Sequence, residues 1–321
     1  MQKILLLDSV HPLIPSELST AGYQCDQFTE LGRDGVIRII GEYVGVIVRS
    51  RIEIDKEILD KAVQLRFIAR VGAGMESIDT VYAAQKGVLC LNSPEGNRDA
   101  VGEHALGMLL SLINHLNRAD SQVKQGIWNR EENRGLEIKG KTLGIIGYGN
   151  MGSAFAQRLK GFEAEVISWD KYKSGYADGN TREASMEELF GACDIVSLHV
   201  PLTSETRYLV DEKYIGQFQK PFFLVNTARG AVVKTADLVR SLKSGKILGA
   251  ALDVLEYEDG SFENLSGDPP TDLRYLMQAD NVILSPHIAG WTVESKIKLA
   301  MVLVEKIKKT VLLQPQKNSP V

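Results

Sequence analysis

The chain has little of what would give it a disulfide scaffold, a membrane anchor or an electrostatic field. Only three cysteines occur in 321 residues, Cys25, Cys90 and Cys193. No two lie close together and none has zinc-ligand spacing, so a disulfide framework and a structural metal are both excluded as expectations. An odd number of scattered thiols suits a reducing, cytoplasmic compartment. Lys and Arg number 37 against 41 Asp and Glu, a formal charge of -4. Nothing in that balance attracts nucleic acid or an anionic membrane, so any anionic ligand must be held by local groups. Long apolar runs are also missing. The opening MQKILLLDSVHP is too short for a signal peptide, and the apolar stretch 100–116 carries Glu103, His104 and His115, which suits a buried helix rather than a membrane span. There is no internal repeat and no low-complexity tract.

Short runs of Val, Ile, Leu and Phe alternate with helical patterns, as in parallel sheets built from βαβ units. The first set of expected strands lies at 3–8, 23–28, 43–48, 66–70 and 88–91. One long helix is expected over 99–125, with Val101, Ala105, Met108, Leu109, Leu112 and Leu116 at mostly three- and four-residue steps. The pattern breaks at 135–141. A second set of strands follows at 142–146, 165–169, 194–199, 222–226, 249–254 and 281–285. Ser185-Met-Glu-Glu188 has the form of a helix capping box, and 292–313 reads as a closing amphipathic helix. The length allows two domains. The acidic connection 256–280, with Gly260, Gly267, Pro269 and Pro270, is of a length often found at functional sites.

Gly147-Tyr148-Gly149-Asn150-Met151-Gly152 fits G-x-G-x-x-G between an expected strand and an expected helix over 151–159. The first glycine permits the tight turn, the second lets backbone approach a pyrophosphate, and the third lets helix pack on strand. Helix N–H groups then face the phosphates. Asp170 closes the next strand, near the spacing at which a carboxylate meets the ribose hydroxyls. Gly72-Ala73-Gly74 also follows a strand but lacks the third glycine and the later acid. It suits a substrate loop or a structural turn better than a second dinucleotide site.

A dinucleotide site points to hydride transfer. Taking a hydride from a hydroxyl-bearing carbon also requires a base for the hydroxyl proton, most often histidine. There are five histidines. His115 falls within the apolar helix, His104 beside Glu103 suggests a structural pair, and His11 has nothing reactive near it in sequence. His199, before Val200-Pro201, ends a strand of the nucleotide half and is placed to line the cofactor. His287, in Ser285-Pro-His-Ile-Ala289-Gly, follows the last strand and emerges at the edge where open α/β sheets bind ligands. Position selects His287. Arg229 and Asp253 end two more strands at that edge. Arg229 would hold a carboxylate or form a surface ion pair, and Asp253 would serve the site or cap a turn.

Together these residues resemble the D-2-hydroxyacid dehydrogenase family, its phosphoglycerate dehydrogenase branch most closely. The resemblance runs through Val48-Arg49-Ser50, Val71-Gly72-Ala73-Gly74, Asn97, Glu103-His104, GYGNMG, HVPLT, NTARG, GAALDV and SPHIAG. It implies two doubly wound parallel-sheet domains, a Rossmann-type NAD-binding one over 100–291 and a flavodoxin-like, discontinuous substrate-binding one over 1–99 and 292–321. It implies His287 as acid/base, Glu258 as its hydrogen-bonded partner and Arg229 as the binder of the substrate carboxylate and carbonyl. NAD would be held by the glycine motif, Asp170, His199, Val200, Pro201, Thr227, Ala228, Asp253 and Ala289, with Asp253 on the nicotinamide carboxamide. Arg49, Ser50, Val71, Gly72 and Ala73 would contact the substrate, a small anionic 2-hydroxy acid or 2-keto acid. Arg49, Arg51, Arg70 and Arg98 are candidates for holding a phosphate on it, as in 3-phosphoglycerate.

The family typically has proline after the glutamate, where this chain has Asp259, and Glu256 is the alternative acid two residues earlier. Met75-Glu-Ser77 departs from the usual substrate loop. A homodimer through the 99–125 helix is expected, as is the absence of an appended regulatory domain. The competing functions are glyoxylate or hydroxypyruvate reduction and NADH sensing without turnover, as in the corepressor proteins that resemble this family.

Overall fold

The computed structural model describes residues 1–258, 265 and 268–312. Most of the acidic loop, including Asp259, and the C-terminal tail fall outside the described residues. The chain divides into two compact units, Met1–Asn97 together with the segment from Trp291 on, and Arg98–Gly290.

The first unit holds β1 (Lys3–Leu6), β2 (Gln24–Gln27), β3 (Gly45–Val48), β4 (Phe67–Arg70) and β5 (Leu89–Asn92). They form one parallel sheet in the order β2-β1-β3-β4-β5, the flavodoxin-like winding. A parallel sheet is covered on both faces, so its central strands are continuously apolar. All four residues of β3, GVIV, are buried, while the edge strand β2 is QCDQ. One face packs Ile4, Leu6, Ile47 and Phe67 against Ile14 and Leu18 of an early helix and against Leu303 and Ile307 of the last helix, Val293–Ile307. The chain's end therefore completes the core begun at its start. Thr292 caps that last helix, with Ser295 answering in a reciprocal capping box. Near the helix middle, Gly96 lies so close that a Cβ there would stand 2.5 Å from the Leu299 nitrogen.

The second unit holds β6 (Thr142–Ile146), β7 (Glu165–Trp169), β8 (Arg182–Glu183), β9 (Ile195–Leu198), β10 (Phe222–Asn226), β11 (Ile247–Leu252) and β12 (Val282–Leu284). Their order is β12-β11-β10-β9-β6-β7-β8, all parallel. This is a Rossmann winding with a seventh strand, and its order reverses between β6 and β9. The short β8 has no apolar run and is not visible in the sequence pattern.

The expected single helix over 99–125 is two helices, Arg98–Ile113 and Leu116–Lys124. The Ile113 carbonyl accepts a hydrogen bond from the Leu136 N–H at 3.0 Å, and His115 turns the chain in the left-handed conformation, with φ of 54°. Asparagine and histidine tolerate that region better than most residues, so Asn114-His115 was the available break signal. Ala105, Met108, Leu109 and Leu112 of the first helix pack on Leu143, Ile145, Val225 and Ala251 of the sheet. Ser185 caps its helix through the Glu188 N–H, but the Glu188 carboxylate pairs with Arg182, so the expected capping box is half formed. Among the described residues no helix is long and apolar enough to cross a membrane.

Candidate active site

The glycine loop leaves β6 at Ile146. Gly147 has φ of +92°, and a Cβ there would stand 2.6 Å from the His199 carbonyl oxygen. Only glycine fits this turn. Gly149 precedes the helix Asn150–Arg158, and a Cβ on it would meet nothing within 4 Å. A Cβ on Gly152 would lie 2.1 Å from the Gly147 carbonyl oxygen. The first and third glycines thus serve the fold, while the second leaves open space on the loop. Asp170, just past β7, accepts the Tyr148 N–H at 2.9 Å and the Tyr172 N–H at 3.0 Å. Lys173 donates to the Tyr148 carbonyl at 2.8 Å. Asn150 and Met151 form the first turn of the helix.

Further along the carboxyl ends of the strands, His199 Nε2 lies 2.8 Å from Ser197 Oγ, and its ring packs on Phe155. Burial lowers its pKa, so this imidazole is neutral. Val200 leads on from it, and the Pro201 carbonyl accepts from Thr206 Oγ1. Among the described residues, His199 Nδ1 and Thr227 Oγ1 are buried side-chain atoms without a hydrogen-bond partner. Open backbone at Gly149, an oriented carboxylate at Asp170 and orphaned polar atoms beyond β9 and β10 together fit a dinucleotide.

The loops after β10, β11 and β12 meet. Asn226 holds its own turn, accepting from the Ala228 N–H and donating to the Arg229 carbonyl. Arg229 Nη1 donates to the Ala228 carbonyl at 2.6 Å. Asp253, 1% exposed, does what a turn cap does. Its Oδ1 accepts from Ser285 Oγ at 2.6 Å and the Ile288 N–H at 2.9 Å, and its Oδ2 from the Ala289 N–H at 2.9 Å. His104 Nε2 stands 3.0 Å from Ser285 Oγ and 3.4 Å from Asp253 Oδ1. Burial alone would raise the Asp253 pKa, but the bonds from His104, Ser285, Ala289 and Ile288 outweigh it and hold the carboxyl below its usual range. The expected His104–Glu103 pair does not form. Adjacent residues on a helix point apart, and Glu103 instead lies 3.4 Å from Arg158.

His287 sits in the left-handed region with φ of 54° and donates its N–H to the Asp253 carbonyl at 2.8 Å. Its Nδ1 is 2.7 Å from Glu258 Oε2, and the two side chains are 23% and 13% exposed. Glu258 Oε1 accepts from the Leu255 N–H. Glu256 is used elsewhere, accepting from Tyr208 Oη at 2.7 Å and from the Thr235 N–H at 2.9 Å. The acid next to the histidine is therefore Glu258. His11 accepts from the Leu13 N–H and His115 forms the helix break, so neither joins this group.

In the first unit the Arg49 N–H donates to Asp8, and its guanidinium lies 4.7 Å from the Trp291 ring centroid. Ser50 follows, half-buried. The Val71 N–H donates to the Val48 carbonyl, Gly72 exchanges hydrogen bonds with Ser93, and the Ala73 carbonyl accepts from Asn92. The 71–73 loop is thus pinned to β3 and to the end of β5. Arg51, a sequence candidate for the substrate's phosphate, is committed to the Leu7, Leu31 and Phe28 carbonyls and to Asp8. Arg70 donates to the Arg49 carbonyl, and Arg98 is exposed at a helix start. Sequence reasoning missed Ser285 as the link between His104 and Asp253. The contact joins residues 181 apart, and no spacing rule signals it.

Residues 106–289 match the model of the D-isomer specific 2-hydroxyacid dehydrogenase family, NAD binding domain. A hydroxypyruvate reductase of Thermotoga maritima is 36% identical over 281 residues, covering 87% of this chain and 88% of that protein. A D-3-phosphoglycerate dehydrogenase of Archaeoglobus fulgidus is 32% identical over 322 residues, covering 99% of this chain and 59% of that one. The chain thus spans under two thirds of the length of that curated relative. Among solved structures, the D-lactate dehydrogenase of Aquifex aeolicus complexed with NAD and lactic acid superposes with a TM-score of 0.82 at 28% identity, covering 97% of this chain and 96% of that one. With its glycine loop, Asp170 and the NAD-binding family model over one region, this chain belongs to the D-isomer specific 2-hydroxyacid dehydrogenase family.

Proposed function

We propose that the protein is an NAD-dependent oxidoreductase that interconverts a small anionic D-2-hydroxy acid and its 2-keto acid. The observation that carries this is the His287–Glu258 hydrogen bond at the same strand edge as the glycine loop. NAD supplies a hydride acceptor in oxidation and, when reduced, a hydride donor. With Nδ1 engaged by Glu258, His287 Nε2 takes the hydroxyl proton as the C2–H bond gives up its hydride. In reduction it returns a proton to the carbonyl oxygen. The Glu258 carboxylate, 2.7 Å from Nδ1, fixes the ring orientation. Arg229 holds the substrate carboxylate, since a guanidinium matches it in two bonds. Arg49, Ser50 and the 71–73 backbone are assigned the remaining substrate contacts; 1–99 with 292–321 is the substrate-binding domain and 100–291 the NAD-binding domain.

Hydroxypyruvate and 3-phosphoglycerate, the acids named for relatives, head the substrate candidates. Arg49, whose guanidinium lies over the Trp291 ring, is assigned the anionic tail. A cytoplasmic location and a homodimer belong to the same proposal. The test is NADH oxidation against a panel of 2-keto acids, hydroxypyruvate, glyoxylate, pyruvate and phosphohydroxypyruvate included. Turnover of at least one is expected. Tight NADH binding with no turnover on any of them would overturn the enzyme and favour a sensor.

A further inference from the structure

We infer that His104 is a positioning residue for His287, acting through Ser285 and Asp253. The kinetic part of this rests on the acid/base role proposed for His287, whereas the structural part does not.

The chain of contacts begins at the turn that carries His287. Three successive N–H groups, of His287, Ile288 and Ala289, all end on one residue, donating to the Asp253 carbonyl and to its two carboxylate oxygens. His287 holds a left-handed backbone conformation; histidine enters that region more readily than most residues, but unlike glycine it still needs surrounding support there. Asp253 is that support. Its carboxylate is buried, and a buried charge must be hydrogen-bonded to stay where it is.

Two side chains complete its shell. Ser285 has one hydroxyl proton, and the 2.6 Å contact places it on Asp253 Oδ1. Ser285 Oγ then acts only as an acceptor toward His104 Nε2, 3.0 Å away. This fixes the His104 tautomer with the proton on Nε2, directed at the serine oxygen and at Asp253 Oδ1, 3.4 Å away. His104 stands on the helix Arg98–Ile113, whose Ala105, Met108 and Leu109 are anchored in the sheet core. A rigid helix thus transmits its position to the catalytic turn through a serine and an aspartate. His104 is not proposed to touch substrate or to exchange protons with it.

The test compares His104→Phe, which fills the space without a donor, with His104→Gln, whose amide nitrogen can reach the Nε2 position. In the free protein, hydrogen exchange at the Ile288 and Ala289 amides should be at least about tenfold faster in the Phe variant than in wild type, because their acceptor is no longer held. In turnover with the best 2-keto acid, kcat should fall by about 10²-fold with KM for the acid and NADH affinity nearly unchanged, as for a misplaced catalytic group. His104→Gln should restore most of both. Unchanged exchange and unchanged kcat in the Phe variant would overturn the inference. So would losses in kcat, KM and melting temperature together that Gln does not restore, since those mark general damage to the fold. If His104→Phe does not fold, Ser285→Ala takes its place. Faster Ile288 exchange there supports the relay, and wild-type exchange refutes it. A wild type without turnover on any acid would remove the proposed activity while leaving the exchange experiment intact.

Discussion

At His287 the side chain and the backbone are both constrained, and the two constraints predict different losses. Removing the imidazole in His287→Ala deletes the proposed proton acceptor. Hydride transfer should slow by about 10²–10⁴-fold in both directions, the usual worth of a positioned acid/base. NADH affinity should barely move, because Asp170 and the glycine loop are intact; a large rise in the NADH dissociation constant would place His287 in cofactor binding instead. Glu258 engages both carboxylate oxygens, one accepting from the Leu255 N–H and the other beside His287 Nδ1, so Glu258→Gln turns an amide donor on one of them. Its kcat should fall by at least about tenfold in both directions with NADH affinity unchanged. Glu256→Gln should leave kcat in place, since Glu256 serves Tyr208 and Thr235. A lower kcat for Glu256→Gln and an unchanged one for Glu258→Gln would sink the pairing as a catalytic device. Asp170 is expected to govern a different choice. Two backbone N–H groups orient its carboxylate, and a 2′-phosphate brought to it would be repelled. The kcat/KM ratio of NADH to NADPH should exceed about tenfold, and Asp170→Ala should narrow it; equal use of both cofactors by wild type would show the carboxylate to be turned away from the ribose.

The glycine loop as an element separates folding from binding. Gly149→Val places its side chain in open space, so the melting temperature should hold while NADH binding weakens by at least about tenfold, or about 1.4 kcal/mol. Gly152→Ala meets the Gly147 carbonyl oxygen at 2.1 Å and should destabilise the protein. Calorimetry with NADH titration distinguishes them, and an unaffected NADH affinity in Gly149→Val would mean the pyrophosphate lies elsewhere. The turn at 285–289 behaves as a second element. Asp253 has its carboxyl pKa held below the ordinary 3.8 by hydrogen bonds that outweigh burial, so it contributes stability above 3.8 that is lost as pH falls through the folded value. Asp253→Asn should cost about 1–3 kcal/mol at neutral pH by turning an amide donor on N–H donors, and the gap should close on acidification. Equal gaps in urea melts at neutral and acid pH would exclude the charge as the cause.

Such turns are also where sequence and structure part. Gly147 and Gly152 were legible because backbone geometry dictates glycine there, and Asp170, Arg229, Asp253 and His287 were legible as strand-end positions. The His104–Ser285–Asp253 contact was not, because it depends on how a helix lies against a sheet. The break at Asn114-His115 was hidden by apolar steps that continue to Leu116, and was imposed by a return hydrogen bond from Leu136.

On the scale of the whole molecule, the helix Leu116–Lys124 is tied to its own chain by polar bonds, from Arg118 to Asn133 and Glu132 and from Asn133 to Gln122. None of its residues is buried. Nine residues are below the about 12–15 at which an isolated helix becomes marginal in water, so local propensity does not account for it. Leu116 is 54% exposed, Val123 53%, Ile127 46%, Trp128 79% and Leu136 44%. Single exposed apolar residues are ordinary, but several along one stretch of sequence fit a surface that a partner covers. In the proposed homodimer a second copy would supply such a cover, since a two-fold axis brings the same segment of each copy to the same interface. A stable dimer needs about 1,200–2,000 Å² buried in total, and Trp128 is the largest single exposed contributor in this stretch. Light scattering at micromolar concentration should therefore give the mass of a dimer. Trp128→Glu should shift it toward the monomer, because the charge enters the interface twice, while the melting curve of the sheet cores stays cooperative. A monomeric wild type at that concentration would overturn the dimer, and a dimer indifferent to Trp128→Glu would move the interface off this helix.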